Sequence, residues 1–316
     1  MEKPNLCQSV LFSAFVALLL APTQAAVIDS YTAATNDRFT NSPNFIASSF
    51  NLSGVGQSAS GRWATLISPN VVVSAFHFLP GTGAAINFYP SNNPSSGAVQ
   101  RTVTATNVKV GSTDLWLGVL DSNVPSSIKS FKFSNTLLTG TIPNGNFPID
   151  PAGVFQGNNA YLMGRSPEDF PTFQSQGVGR NLITGFSENV AFEGNSNNDS
   201  LILAYDRPGS GDYVQYESHV VGGDSGAPLF VNINGELVLL GTNAFRLDDA
   251  NGNAVGSGVN YIGNQSDFIN NFIAVNAVPE PSSICLAAFA AIAGYVANRR
   301  RKVVCRNKDS FLASAC

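Results

Sequence analysis

The sequence predicts an all-β protein whose body has two halves, joined by a proline-bearing connector and closed by one helix. Short apolar or alternating runs recur between turn signals along the 316-residue chain, with no internal repeat or heptad. Charged residues make up only 12% of the chain, while Gly, Asn and Ser are abundant. This composition favours a turn-rich, exported β-protein over a helical one.

Strand candidates in the first half are separated by short turns. Residues 63–67 and 71–75 flank Ser68-Pro69-Asn70 and predict a hairpin, and further runs follow at 99–104, 107–110 and 115–120. The looser stretch 122–158 contains four prolines and is interpreted as the connector.

The second half repeats this pattern and ends in a helix. Its strand candidates are 160–163, 179–185, 201–205, 229–233 and 236–240. The last two flank Asn234-Gly235, the strongest short hairpin signal in the chain. Four apolar residues then recur at helical spacing after an N-cap at Asn264 or Ser266: Phe268, Ile269, Phe272 and Ile273.

Residues 1–26 are interpreted as a signal peptide. Lys3 precedes an apolar run at 10–20, and small residues follow at 21–26. The alternative is a buried core helix. The signal-peptide interpretation predicts that the body, residues 27–276, is exported.

The C-terminal end carries a second sorting pattern. The sequence Val-Pro-Glu-Pro-Ser at 278–282 precedes an apolar stretch at 284–296 and a basic cluster at 299–302. The stretch is short for a membrane span, which needs about 17–25 residues, and the basic cluster favours a cytoplasmic end. Residues 278–302 resemble the PEP-CTERM sorting signal of exopolysaccharide-producing bacteria.

That resemblance implies an exosortase-type processing enzyme as a partner and membrane contact through the apolar stretch, permanent or transient. It places the body at the cell surface, in the outer envelope or in the extracellular matrix. Residues 303–316 continue past the usual end of the signal and have no assigned role. A plain C-terminal membrane anchor is the alternative.

Cysteine and charge distribution constrain the body further. The four cysteines lie at positions 7, 285, 305 and 316, so the body contains no disulfide and depends on its apolar core. Residues 27–276 contain ten basic and 18 acidic residues, a net charge of −8. An acidic body without a basic run argues against nucleic-acid binding.

The sequence Gly-Gly-Asp-Ser-Gly-Ala-Pro at 222–228 points to nucleophilic chemistry at Ser225. A serine hydroxyl is a poor nucleophile that needs an adjacent base and backbone amides aimed at the developing oxyanion. Flanking glycines allow the tight turn, so the amides of Gly223 and Ser225 are candidates for an oxyanion hole. The alternative is an ordinary glycine-rich turn.

His77 and Asp114 complete a candidate triad. His77 follows the apolar run 71–76 and is one of only two histidines, although a lone histidine at a strand end is usually structural. Asp114 begins a strand with no further charge until Asp121, where it would orient the imidazole or simply start the strand.

Together the three residues resemble the trypsin/chymotrypsin family. The order His, Asp, Ser matches, as do the motifs Ser-Ala-Phe-His at 74–77, Asp-Leu-Trp-Leu at 114–117 and Gly-Asp-Ser-Gly at 223–226. The resemblance implies two six-stranded antiparallel β-barrels, at about 27–135 and 150–276, with a C-terminal helix and the triad in the cleft between them. It also implies a serine endopeptidase that acts on protein or peptide substrates without a cofactor.

Several positions depart from the family pattern or extend it. His219 stands six residues before Ser225, where the resemblance places the base of the specificity pocket; a loop histidine outside the pocket is the alternative. No Ile-Val-Gly-Gly sequence is present, so Val27 is the candidate new N-terminus whose amine would pair with Asp224. The stretch 241–244 lacks the family's serine donor to the triad aspartate.

Other function classes are alternatives to a serine endopeptidase. A trypsin-fold surface protein that binds matrix components without useful catalysis is the main alternative. An esterase usually carries Gly-x-Ser-x-Gly on an α/β sheet, which this chain lacks. Residues 248–253 faintly resemble a calcium loop but lack its terminal glutamate, so an acidic turn is expected and no metal site is predicted.

Overall fold

The computed structural model describes residues 26–140, 152–166, 175–277 and 295. The predicted signal peptide, apart from Ala26, and nearly all of the C-terminal sorting segment therefore lie outside the described residues. The strands, numbered in chain order, are β1 (Val27–Ile28), β2 (Val55–Ser58), β3 (Trp63–Ser68), β4 (Val71–Ala75), β5 (Ala85–Phe88), β6 (Val99–Lys109), β7 (Leu115–Leu120), β8 (Lys132–Phe133), β9 (Asn159–Gly164), β10 (Gly177–Phe192), β11 (Asn195–Ala204), β12 (Ser218–His219), β13 (Pro228–Ile233), β14 (Glu236–Asp248) and β15 (Ala254–Tyr261). The helices are α1 (Ala33–Asn36) and α2 (Ser266–Asn276).

Two antiparallel β-barrels form the body. The first is a closed barrel with strand order β2-β3-β4-β7-β6-β5. In the second sheet β13 pairs with both β9 and β14, which closes β13, β9, β10, β11, β15 and β14 into a ring of six. Strand β8 adds to β14 in parallel, outside that ring. The predicted all-β class, the two six-stranded barrels and the closing helix are confirmed.

Several strands differ in extent from the sequence expectation. The two runs predicted at 99–104 and 107–110 are one strand, β6, whose pairing with β7 shifts between Val103 and Asn107. Strand β10 is 16 residues long and pairs irregularly with β11 beyond Ile183. The predicted cap of α2 is wrong: Gln265 occupies that position, while the Asn264 side chain bonds the backbone of Leu138.

An apolar cluster joins the two barrels and the closing helix. Trp63 and Leu117 from the first barrel belong to the same buried group as Phe230 from the second and Ile269 from the helix. The rings of Phe131 and Phe230 lie with centroids 4.5 Å apart, so the connector packs directly onto the second barrel. With no disulfide in the body, burial of these side chains must supply most of the attraction between the barrels.

Replacing Phe230 with alanine is expected to lower the free energy of unfolding by about 3–5 kcal/mol, because it empties a fully buried site in this cluster. Urea unfolding measures the change. Phe268→Ala is the matched control: that side chain is 41% exposed, and its loss should cost no more than about 0.5 kcal/mol. Equal effects of the two substitutions would contradict the assignment.

Candidate active site

Strand pairing in the first barrel brings His77 to Asp114. Ala75 at the end of β4 pairs with Leu115 at the start of β7, so the residues just beyond these positions meet. The Phe76 amide donates to the Asp114 carbonyl at 2.7 Å. The His77 amide donates to Asp114 Oδ1 at 2.8 Å, which ties the backbone of the histidine to the carboxylate.

The side chains of the same pair are also in direct contact. His77 Nδ1 lies 2.6 Å from Asp114 Oδ2. The carboxylate is fully buried, whereas the imidazole is 16% exposed. This bond favours the tautomer with a proton on Nδ1, which leaves Nε2 as the free basic nitrogen.

Ser225 lies in a tight turn that leads into β13. Gly223 and Gly226 have φ angles of +101° and +85°, a conformation that favours glycine. A Cβ on Gly226 would lie 2.4 Å from Ser74 Oγ on β4. The turn therefore rests directly on the strand that leads to His77, and only glycine permits this approach.

His77 and Ser225 line one open cleft with a volume of about 310 Å³. The cleft is otherwise bounded by the segment before Ser225, by the middle of β14 and by the β10–β11 hairpin. Its other lining residues are Phe192, Glu193, Val220, Val221, Gly222, Asn243, Ala244, Phe245 and Arg246. The structure thus joins His77 to Asp114 by hydrogen bonds and places Ser225 in the same cleft as His77, while the catalytic roles of the three residues remain a prediction.

The amides of Gly223 and Ser225 donate to no acceptor among the residues that the structure describes. The Gly223 carbonyl, by contrast, accepts a hydrogen bond from Trp63 Nε1 at 3.2 Å. The first barrel therefore fixes one peptide plane of the turn that carries Ser225. Two unengaged amides beside Ser225 are what an oxyanion hole requires.

Two phenylalanines form one wall of the cleft. The Phe192 ring packs edge-on against His77 with centroids 5.1 Å apart, and its centroid lies 5.3 Å from that of Phe245. A Cβ on Gly258 would lie 2.1 Å from the Phe245 ring, so this glycine makes room for the aromatic side chain. The Phe192 ring therefore limits how the His77 side chain can turn.

His219 is adjacent to the cleft but is not among the residues that line it. It is buried on β12, where it pairs with Val27, and its ring packs against Tyr205 at 4.7 Å. Burial lowers the pKa of His219, so the imidazole is neutral at pH 7. Its suggested role at the base of a specificity pocket stays a prediction.

Three asparagines around Asp114 were not identified from the sequence. Asn260 Nδ2 donates to Asp114 Oδ2 at 3.0 Å, and Asn195 Nδ2 donates to Oδ1 at 3.3 Å. Asn198 Oδ1 accepts from the Asp114 amide at 2.5 Å. In the stretch 241–244, which the sequence comparison offered for this role, Asn243 donates to the Met163 carbonyl, and the buried Thr242 hydroxyl has no hydrogen-bond partner among the described residues.

Asp224, the residue before Ser225, carries a second buried carboxylate. It accepts the amides of Arg165 at 2.8 Å and Val221 at 3.0 Å. A Cβ on Gly164 would contact both Asp224 Oδ1 and the Cβ of Ala26, within 3 Å of each. The Ala26 side chain therefore lies near Asp224, while Val27 pairs with His219 on β12. The suggested pairing of an N-terminal amine with Asp224 stays a prediction.

The loop at 248–253 is an acidic turn. Asp249 accepts the amides of Asn251 and Asn253 and the side-chain amide of Asn253. Among the described residues, no group of three His, Cys, Asp or Glu side chains is placed to hold a metal ion.

Asp224→Asn is expected to flatten the pH dependence of stability between about pH 4 and pH 7. Burial raises the pKa of Asp224 from 3.8 to about 7. In that window the folded chain keeps a proton that the unfolded chain releases, so the free energy of unfolding falls as pH rises.

Urea unfolding at about pH 4, 5.5 and 7 measures this slope for the wild type and the variant. The exposed Asp121→Asn is the matched control and should retain the wild-type slope. Identical slopes in the wild type and Asp224→Asn would show that this carboxyl does not titrate in the window.

Comparison with known families matches residues 277–302 to the PEP-CTERM protein-sorting motif. The motif indicates export and surface sorting, and it implies recognition by an exosortase-type processing enzyme. In the described part of the chain, no helix has the length and apolar character needed to cross a bilayer.

Among solved structures, the chain is similar to human heparin binding protein, with 15% sequence identity and a TM-score of 0.47. The match covers 72% of this chain and 94% of that protein. No curated protein sequence matches the chain. What the comparisons and the fold establish is a surface-sorted protein with two antiparallel β-barrels.

Proposed function

We propose that this protein is an exported, surface-sorted serine endopeptidase that hydrolyses peptide bonds through an acyl-enzyme on Ser225. The observation that carries the proposal is the 2.6 Å contact between His77 and a fully buried Asp114, in a cleft that Ser225 also lines. This is the arrangement in which an imidazole becomes a base for a serine hydroxyl.

The first half-reaction forms the acyl-enzyme. Ser225 Oγ attacks the peptide carbonyl carbon while His77 Nε2 takes the hydroxyl proton. The carbonyl π electrons move onto oxygen, and the amides of Gly223 and Ser225 stabilise that charge. Asp114 stabilises the resulting imidazolium. Collapse of the tetrahedral intermediate breaks the C–N bond, and His77 donates its proton to the leaving amine.

The second half-reaction returns the enzyme to its starting state. Water enters the place of the leaving amine and gives a proton to His77 Nε2 as its oxygen attacks the ester carbonyl. The C–O bond to Ser225 then breaks, the carboxylic acid product leaves, and the proton returns from His77 to Ser225 Oγ. No group outside the chain is required, because the serine, imidazole and amides supply the nucleophile, base and electrophilic stabilisation.

The two chain ends fit a surface role. Residues 1–26 would direct export, and the apolar stretch 284–296 would hold the protein at the membrane until the exosortase-type enzyme processes the tail. The body is acidic, with a net charge of −8, and carries no basic run. These properties favour protein or peptide substrates in the cell envelope or matrix over nucleic acid.

Ser225→Ala is expected to lower hydrolysis of a casein-like substrate by about 10⁴-fold or more, because it removes the nucleophile. The exposed Ser210→Ala is the matched control and should retain wild-type activity. A fluorophosphonate probe should label wild type at Ser225 and leave the variant unlabelled. Absence of labelling in the wild type would instead favour a non-catalytic binding protein.

We also propose that removal of the signal peptide completes the site. In a chain that begins at Ala26, the new α-amine would be largely protonated at pH 7. Its nitrogen lies 3.1 Å from the carbonyl of Arg165, whose own amide donates to Asp224. Pairing of this amine with Asp224 would neutralise the buried carboxylate that shapes the turn before Ser225.

Chains beginning at Ala26, at Val27, and with one extra residue before Ala26 test this idea. Only the first should be fully active; we expect a loss of about tenfold or more in the others, because an unpaired buried carboxylate costs a few kcal/mol. Rates of peptide hydrolysis and of fluorophosphonate labelling are the measurements. Equal activity of all three chains would contradict the proposal.

A further inference from the structure

The carboxylate of Asp114 belongs to the first barrel, but side chains of the second barrel hold it. Asn260 lies on β15 and Asn195 begins β11, and they are 1% and 3% exposed. Their side-chain nitrogens lie 3.0 Å from Oδ2 and 3.3 Å from Oδ1 of Asp114, respectively. The candidate triad is therefore braced across the contact between the two barrels.

These two amides complete the hydrogen bonding of the carboxylate. Oδ1 accepts from the His77 amide and from Asn195, while Oδ2 accepts from His77 Nδ1 and from Asn260. Two donors on each oxygen match the acceptor capacity of an ionised carboxylate. Rotation of the carboxylate plane would break bonds on both oxygens, so its direction toward the imidazole is fixed.

If Asn260 had only a structural role, its buried side chain would lower the stability of the fold. Its carbonyl oxygen is buried and has no hydrogen-bond partner among the described residues. The amide cannot turn over to relieve this, because the carbonyl oxygen would then face the negative Asp114 carboxylate. An unsatisfied buried acceptor lowers stability, and such sites persist where function requires them.

The β10–β11 hairpin is bent so that it reaches Asp114. Its pairing shifts between Ser187 and Val190 and again between Val190 and Phe192. Asn198 accepts from the Asp114 amide, and its own nitrogen donates to the Val190 carbonyl at 2.9 Å. The backbone and the carboxylate of Asp114 are thus held from the same hairpin.

We propose that Asn260 and Asn195 are positioning residues that set the orientation of the His77–Asp114 pair from the second barrel. They act through Asp114 and touch neither Ser225 nor the substrate cleft as its lining is defined above. The inference deepens the proposed hydrolase function and rests on it for its kinetic consequence. Its structural consequence, the geometry of the His77–Asp114 hydrogen bond, can be measured independently.

The test is Asn260→Leu, which keeps the branched shape of the side chain and removes the donor, in the full exported protein. We expect kcat to fall about 10- to 100-fold while KM changes less than about twofold, since an orienting contact is lost and no substrate contact is removed. Asn195→Ala, with its longer bond, should lower kcat less. The low-field proton resonance of the His77–Asp114 hydrogen bond should shift or broaden in both variants.

Asn36→Leu is the matched control. Asn36 is fully buried and donates to the Val178 carbonyl, but it makes no contact with the candidate triad. It should lose stability and retain kcat and the resonance. If Asn260→Leu does not fold, Asn195→Ala carries the test.

Wild-type kcat and an unchanged resonance in the folded variants would overturn the inference, as would an equal kcat loss in Asn36→Leu. Failure of the wild type to hydrolyse peptides or to label at Ser225 would sink the proposed function instead. The resonance would then still decide whether the asparagines orient the pair.

Discussion

The structure depends on burying one carboxylate, that of Asp114, in a place that water does not reach. A buried charge is expensive unless protein dipoles replace its hydration. The first barrel supplies the backbone and imidazole of His77, and the second supplies Asn195 and Asn260. Neither barrel alone supplies all the hydrogen-bond donors of this carboxylate. The geometry of the candidate site therefore depends on how the two barrels dock.

The apolar contact between the barrels serves the same geometry. Trp63 is fully buried in the shared cluster, yet its indole nitrogen donates to the Gly223 carbonyl in the nucleophile turn. Gly226 lies so close to Ser74 that a side chain would not fit. Hydrophobic burial attracts the barrels to each other but does not set their relative orientation. These few polar and steric contacts fix the orientation in which His77 and Ser225 line one cleft.

Local patterns predicted much of this fold and of the candidate site, whereas long-range pairing did not follow from them. Strands with clear apolar runs and turns, such as β4 and β7, were predicted at their observed bounds; His77 lies just after the first and Asp114 just before the second. Strand β15 was missed because glycines interrupt its pattern; Gly258 is needed where the Phe245 ring packs. The asparagines around Asp114 gave no signal, since Asn is abundant and Asn260 is 146 residues away along the chain.

Two buried carboxylates near Ser225, those of Asp114 and Asp224, lie in different hydrogen-bonding environments. Asp114 has four hydrogen-bond donors, one of them on the imidazole it is suited to orient. Asp224 has two backbone amides and lies against Ala26, and burial raises its pKa to about 7. The first carboxylate is surrounded by hydrogen-bond donors, whereas the charged form of the second would be stabilised by a nearby cation. Cleavage of the chain before Ala26 would create an α-ammonium group. Such a cation near Asp224 would link export to the final arrangement of the turn that carries Ser225.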